Sequence, residues 1–262
     1  MALITSLPFV FPGINGVRCA FQTRSGGVTA GATTPPTRST DAFGGNIAFN
    51  VGDDLASVFA NRKALVQTLH LSGLAECNQI HSDTMVFDPA PVSLEATPTP
   101  PIFPDGDGLA TTRPGLGLMV KSADCQPVLI AHEKGRHIAA LHVGWKGNRI
   151  AFLQSGIAAF CAHYDVSPSE LYAVRGPSLG PAHAEFVKYA TEWGDDFTRW
   201  YNRHTQTVNL WELTRAQLLA AGLEPERIFS LDLCTVSLPE LFFSFRRDAR
   251  CGRQGSLIWI EE

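Results

Sequence analysis

The chain has 262 residues, 45% hydrophobic and 18% charged, which is enough apolar matter for a large core and argues against disorder. A formal net charge of −4, with no run of like charges, excludes a basic nucleic-acid footprint and a membrane-surface tail. No run of about 18 apolar residues predicts a transmembrane helix.

The opening MALITSLPFVFPGINGV lacks a basic leader and a small-residue cleavage site, and Pro8 and Pro12 interrupt it. It reads as an early strand and not as an export signal. Gly26-Gly27 marks a turn, followed by a Thr/Pro-rich loop. NIAFNVGDD reads as a short strand, and Asp53 or Asp54 then caps a helix in which Leu55, Val58, Phe59, Leu65, Val66 and Leu69 share a face, ending at Gly73. CNQIHSDTMVF alternates as a strand containing His81, and the Pro- and Gly-rich stretch after it is a surface loop. LGLMVKSADCQPVLIAH and HIAALHVGW are apolar runs joined by EKGR, a hairpin signal. A helix over 148–164 places Ile150, Leu153, Ile157 and Phe160 on one face. SPSE caps a short segment, LYAVR is a strand, 182–201 and 210–223 are amphipathic helices, and RIFSLDLCT is a strand. The C-terminus reads as two strand-like runs about a Gly-containing turn. Irregular alternation of helices and strands predicts an α+β (mixed α/β) fold, with mixed β-sheets flanked by helices in a single domain over 1–262.

The chemistry centres on Cys125 and on His142, seventeen residues later, at the two ends of the hairpin. Two readings stay open on these residues alone. They are ligands of one metal, with His81 in NQIHSD as a third, or a thiolate–imidazolium pair oriented by Asp124 or Asp83. The six cysteines contain no C-x-x-C pair and read as reduced cytoplasmic thiols.

SADCQPVLI followed by ALHVGWKG resembles the ADC-x-P and H-A-G-W-R-G signatures of the laccase-domain family. Its members are variously named polyphenol oxidases, peptidoglycan editing factors and purine nucleoside phosphorylases. TRSGGVT, NIAFNVGDD with Asn61-Arg62, NQIHSD, RGPSLGP, DLCT and FFSFRRDARCGRQGSLI are similar, in order, to further motifs of that family. The resemblance implies His81, Cys125 and His142 as zinc ligands, a mixed α/β fold, and phosphorolysis of adenosine, inosine and methylthioadenosine with deamination of adenosine. As alternatives it brings in a peptidoglycan-precursor editing hydrolase and a copper-dependent polyphenol oxidase. No added cluster of His, Cys and Met suggests a multicopper centre, so zinc is preferred over Cu2+. A protein that keeps its metal only for folding is a further class.

His81, Cys125, His142 and Asp124 are therefore the candidate catalytic residues. Arg24, Arg62, Arg246 and Arg247 are candidate binders of phosphate or ribose, since guanidinium presents paired donors to oxyanions. Trp145 is a candidate stacking face for a base. The expected partners are a nucleoside and phosphate, with no nucleic acid and no membrane. Val143, Lys146 and Asn50 stand where the family commonly has Ala, Arg and His.

Overall fold

The computed structural model describes residues 4–28 and 43–262. In chain order the elements are β1 (Ile4–Phe9), β2 (Val17–Gly26), α1 (Leu55–Thr68), β3 (Gly73–Ala75), β4 (Met85–Phe87), β5 (Gly108–Thr111), β6 (Leu116–Ser122), β7 (Gln126–His132) and β8 (Ile138–Val143). They continue with α2 (Trp145–Arg149), α3 (Phe152–Tyr164), β9 (Leu171–Arg175), α4 (Tyr189–Glu192), β10 (Tyr201–Asn202), β11 (Thr207–Val208), α5 (Leu210–Ala220), β12 (Ile228–Ser230) and β13 (Gln254–Ile260). One sheet runs β1-β2-β13-β6-β3 and a second runs β12-β9-β7-β8-β5-β4. Parallel pairs (β3–β6, β4–β5, β9–β12) sit at sheet edges and the other pairs within these two sheets are antiparallel, so both sheets are mixed.

The two sheets face one another. Phe21, Leu118, Val120 and Ile258 of the first meet Leu129, Ala131, Ala140 and Val174 of the second in one buried cluster. The opposite face of β7 and β8, with Val128, Ile130 and Leu141, packs on Phe152, Ile157 and Phe160 of α3 and Leu218 of α5. Met119 and Leu257 on the outer face of the first sheet meet Ala64 and Leu65 of α1. Alternate side chains of a strand point to opposite faces, so a strand buried on both sides is apolar throughout. That is why VLIA of β7 carries no polar alternation.

Several elements differ from the sequence expectation. The run 116–132 is two strands in two different sheets, broken at Ala123-Asp124-Cys125. The helix expected over 148–164 is two helices, with Ala151 at φ 56° between them. Buried Asn148 gives its amide to Thr214 and Gln217 and accepts from Gln126, which pins α2 to α5 and turns Ile150 outward. Over 182–201 only α4 and a 3-10 turn at Asp195–Trp200 form. Gly194, at φ 88°, interrupts them, and the aromatic periodicity there reflects packing among Trp145, Phe186, Trp193 and Phe197. Two expected strands are absent because side-chain amides replace ladder partners. Asn46 bonds both backbone groups of Ala48, and Gln254 bonds both backbone groups of Phe243. His70, at φ 53°, lies in the turn after α1, and Gly73 opens β3 instead. Most of the Thr/Pro-rich stretch after Gly27 lies outside the described residues.

Gly176 sits where the sheets meet. A Cβ there would lie 2.2 Å from the Phe21 ring and 2.8 Å from Pro127. Gly176→Ala is expected to cost about 1–3 kcal/mol by overpacking. Ile150→Lys, at a site 48% exposed, is expected to stay within about 0.5 kcal/mol of the parent. Chemical-denaturation midpoints at unchanged slope check both.

Candidate metal centre

The site begins at the corner where the chain changes sheets. Asp124 takes a left-handed conformation, φ 97°, which a non-glycine residue holds only when its surroundings fix it. Thr235 Oγ1 donates to Asp124 Oδ1 at 2.7 Å, the Arg246 N–H donates to Oδ2 at 2.6 Å, and the Leu179 N–H donates to its carbonyl at 2.9 Å. Cys125 follows immediately. In the β7–β8 hairpin Pro127 lies opposite His142 and Gln126 opposite Val143, so the register brings Cys125 beside the residue after Val143. That residue is Gly144. A Cβ on it would lie 2.8 Å from His81 Cδ2 and 3.0 Å from Cys125 Sγ, so only glycine leaves room for both side chains.

His81 is not in a strand. It occupies a bend at φ 61°, held there through its neighbours. Asp107, fully buried just before β5, accepts from the Ile80 N–H at 3.2 Å, the Ser82 N–H at 2.6 Å and Ser82 Oγ at 3.0 Å, all on Oδ2. Its Oδ1 accepts from His142 Nδ1 at 2.8 Å, and its carbonyl accepts from the His142 N–H at 2.7 Å. A carboxylate is acceptor-only, so this bond places the proton on Nδ1 and leaves Nε2 of His142 as the donor atom for a metal.

His81, Cys125 and His142 present their ligand atoms within 4.8 Å of one another, with His81 Nε2 and Cys125 Sγ 3.8 Å apart. Tetrahedral Zn–N and Zn–S bonds separate such donors by roughly 3.3–3.6 Å, so a contraction of about 1 Å closes the set on an ion. Among the described residues no second cluster of this kind occurs. Burial would raise the Cys125 thiol, but the facing His142 imidazolium, its hydrogen bond and His81 outweigh it and hold the thiol down to about 6. Burial would likewise lower His142, but Cys125 and Asp107 outweigh it and raise the imidazole to about 9. Burial instead raises the Cys19, Cys77, Cys161 and Cys251 thiols, Cys77 to about 12. The thiolate is ready for a cation, and His142 gives up its Nε2 proton as a metal binds.

A cavity of about 890 Å³ opens over the three residues. One wall carries Phe49, Phe103 and Lys121, and another carries Trp145, Phe186 and Glu192. Of the arginines expected at the site, Arg246 lines the cavity, with Nη1 donating to the carbonyls of His183 and Glu185 at 3.2 and 3.0 Å. Arg62 also reaches the lining but is buried in an ion pair with Glu76. Arg247 is turned away and bonds the carbonyls of Thr235, Val236 and Phe242. Arg24 bonds the carbonyl of Pro239, outside the lining. Asp124 makes no hydrogen bond to either imidazole, and Asp83 is exposed outside the lining. Asp107, Gly144 and the cavity-lining Lys121 are site residues absent from the sequence expectation. The one signal for Asp107 was an acidic residue between two glycines in PDGDG, directly before an apolar strand.

Residues 18–261 match the family model described as multi-copper polyphenol oxidoreductase laccase. The chain belongs to that family. It is 34% identical over 257 residues to a Mycobacterium tuberculosis (strain H37Rv) protein named purine nucleoside phosphorylase, covering 94% of this chain and 92% of that one. A Xylella fastidiosa (strain Temecula1) protein of the same name is 33% identical over 231 residues, covering 82% and 84% of the two chains. Among solved structures, the Neisseria meningitidis protein NMB0706 superposes with a TM-score of 0.78 at 30% identity, covering 98% of this chain and 99% of that one.

Asp107→Asn is expected to weaken metal binding about 10–100-fold, because it frees one ligand ring and slackens the loop of another. Gly144→Ala is expected to weaken it as well, by displacing His81 and Cys125. Competition with a chromophoric chelator reads both. In metal-free protein, alkylation of Cys125 should rise through about pH 6, because its folded thiol is depressed and the thiolate dominates above that value. Metal loading should suppress the reaction, which peptide mapping of the alkylated site checks.

Proposed function

We propose that this chain is a zinc-dependent purine nucleoside enzyme, catalysing phosphorolysis of adenosine, inosine and methylthioadenosine and deamination of adenosine. The observation that carries the reading is an imidazole–thiolate–imidazole set at the base of a cavity of about 890 Å³, a size suited to a nucleoside with phosphate. The names borne by the Mycobacterium and Xylella relatives point the same way. Zinc is preferred to copper because no methionine lines the cavity to act as an axial ligand and, among the described residues, no further ligand cluster accompanies the three residues. Three protein ligands leave a position open to a reactant, unlike a closed structural site.

When bound, zinc would supply Lewis acidity at the cavity floor. The chain's own residues do the remaining work. Asp107 keeps the Nδ1 proton of His142 and so aims the Nε2 lone pair. Trp145 and Phe186 offer flat faces to a purine, and Glu185 and Glu192 on the same wall offer acceptors to its amine or to ribose hydroxyls. In phosphorolysis a phosphate oxygen bonds C1′ while the C1′–N9 bond breaks and the base leaves with the electron pair. In deamination a water oxygen bonds C6 and ammonia departs. Asp124, with both carboxylate oxygens engaged, braces the corner that carries Cys125. Free thiols at all six cysteines suit a reducing cytoplasm, and no described helix is long and apolar enough to cross a membrane.

The cationic side chains at the cavity, Lys121, Lys188, Arg246 and Arg253, also suit the larger anionic precursors of the cell wall. The test assays zinc-loaded protein for phosphate-dependent base release, for ammonia release and for muropeptide cleavage, before and after chelation. Base and ammonia release that disappear on chelation and in Cys125→Ala are the expected result. Muropeptide cleavage alone, or activity that survives Cys125→Ala, would sink the reading.

A further inference from the structure

Beneath the cavity wall, among the described residues, two cations meet a single carboxylate. Glu76, fully buried, pairs with both Arg62 and Lys121, so two cations share one carboxylate. Arg62 is 1% exposed, and its remaining donors are unequal. Nε bonds the carbonyl of Ile47 at 2.7 Å, whereas Nη2 is buried with no hydrogen-bond partner among the described residues. A buried guanidinium donor left unpaired costs free energy, and an excess positive charge at the same place adds to that cost. Both cations line the cavity, and the Lys121 side chain is partly exposed.

Aromatic rings cover this pair. Arg62 lies 4.1 Å from the Phe49 ring centroid and 6.0 Å from that of Phe103, and Lys121 Nζ lies 5.5 Å from Phe103. Phe49 and Phe103 stack at 6.4 Å. Phe103 stands on a proline-rich stretch beside Ile102, which is 99% exposed. Ring faces satisfy a cation weakly, and an oxyanion would satisfy it with hydrogen bonds.

We propose that Arg62 and Lys121 form an oxyanion subsite covered by Phe103, and that it takes a phosphate dianion, either free or carried by a substrate. The subsite deepens the phosphorylase reading and rests on it for its role in catalysis, though not for its existence. Lys121 precedes Cys125 by four residues, so their Cα atoms lie within about 14 Å of one another. The purine would then lie toward the Trp145–Phe186 wall, which shares no ring contact with the Phe49–Phe103 pair.

The test is calorimetric titration of the full chain with inorganic phosphate, in parallel with phosphate-dependent base release. Lys121→Gln should weaken phosphate binding about tenfold or more and raise the KM for phosphate to match, with the KM for nucleoside unmoved. Phe103→Ala, which removes the ring over the two cations and leaves their pairing with Glu76 in place, should tighten phosphate binding. Metal-free Cys125→Ser should bind phosphate as the parent does. Equal binding by the parent and Lys121→Gln, no binding by the parent, or loss of binding in Cys125→Ser would overturn the subsite. Lys121-dependent binding without base release would leave the subsite standing and remove the phosphorylase reading. Competition by a nucleoside monophosphate would assign the site to a substrate's phosphoryl group, and its failure would assign it to free phosphate.

Discussion

One buried carboxylate holds the candidate centre together. Asp107 binds the ring and the backbone of His142 and both neighbours of His81, so two of the three ligands are fixed by the same group. Its own charge is tolerable because burial, which would raise its carboxyl, is outweighed by the hydrogen bonds of His142 and Ser82. A cation at the triad and an anion at Asp107 are thus linked through one imidazole, which is the arrangement that stiffens a ligand and strengthens its basicity.

The third ligand is placed by sheet architecture. Because the chain leaves one sheet and enters the other across three residues, the thiol emerges at the seam between them, and the hairpin register sets it against the turn after β8. Asp124 gives up an ordinary backbone conformation to make that corner, with three hydrogen bonds to hold it. His142 lies near the end of a strand, Cys125 directly before one, and the bend that carries His81 is held by Asp107, so the geometry is held tightly. The residues on either side of the seam then supply two chemically different walls, one of cations under phenyl rings and one of indole and carboxylate.

The electrostatics of the two walls differ for a physical reason. At the triad, thiolate and imidazolium compensate one another, and a metal ion takes the place of the imidazolium proton. At Glu76, among the described residues, two cations pair with one carboxylate, and the surplus is positive. A cavity that holds a cation site and a cationic pair within one volume suits a substrate with both an electron-rich heterocycle and an oxyanion.

Much of this was legible in the amino-acid order. The apolar runs of 126–132 and 138–143, their turn, the cap at Asp54 and the helices at 55–68 and 210–220 follow from local periodicity and capping, and the structure keeps them. So does the nearness of Cys125 to His142, since a hairpin register is set by its turn. The tertiary structure alone decided the rest. Whether Leu116–His132 was one strand or two depended on which sheet each half could pair with, and whether 182–201 was helical depended on where its aromatic rings found partners. Asp107 is invisible as a site residue because its bonds reach residues 25 and 35 positions away, and no local pattern encodes such a distance. The arginines show the same limit. Sequence supplies the guanidinium, but only packing decides whether it meets a carboxylate, a carbonyl or the open cavity.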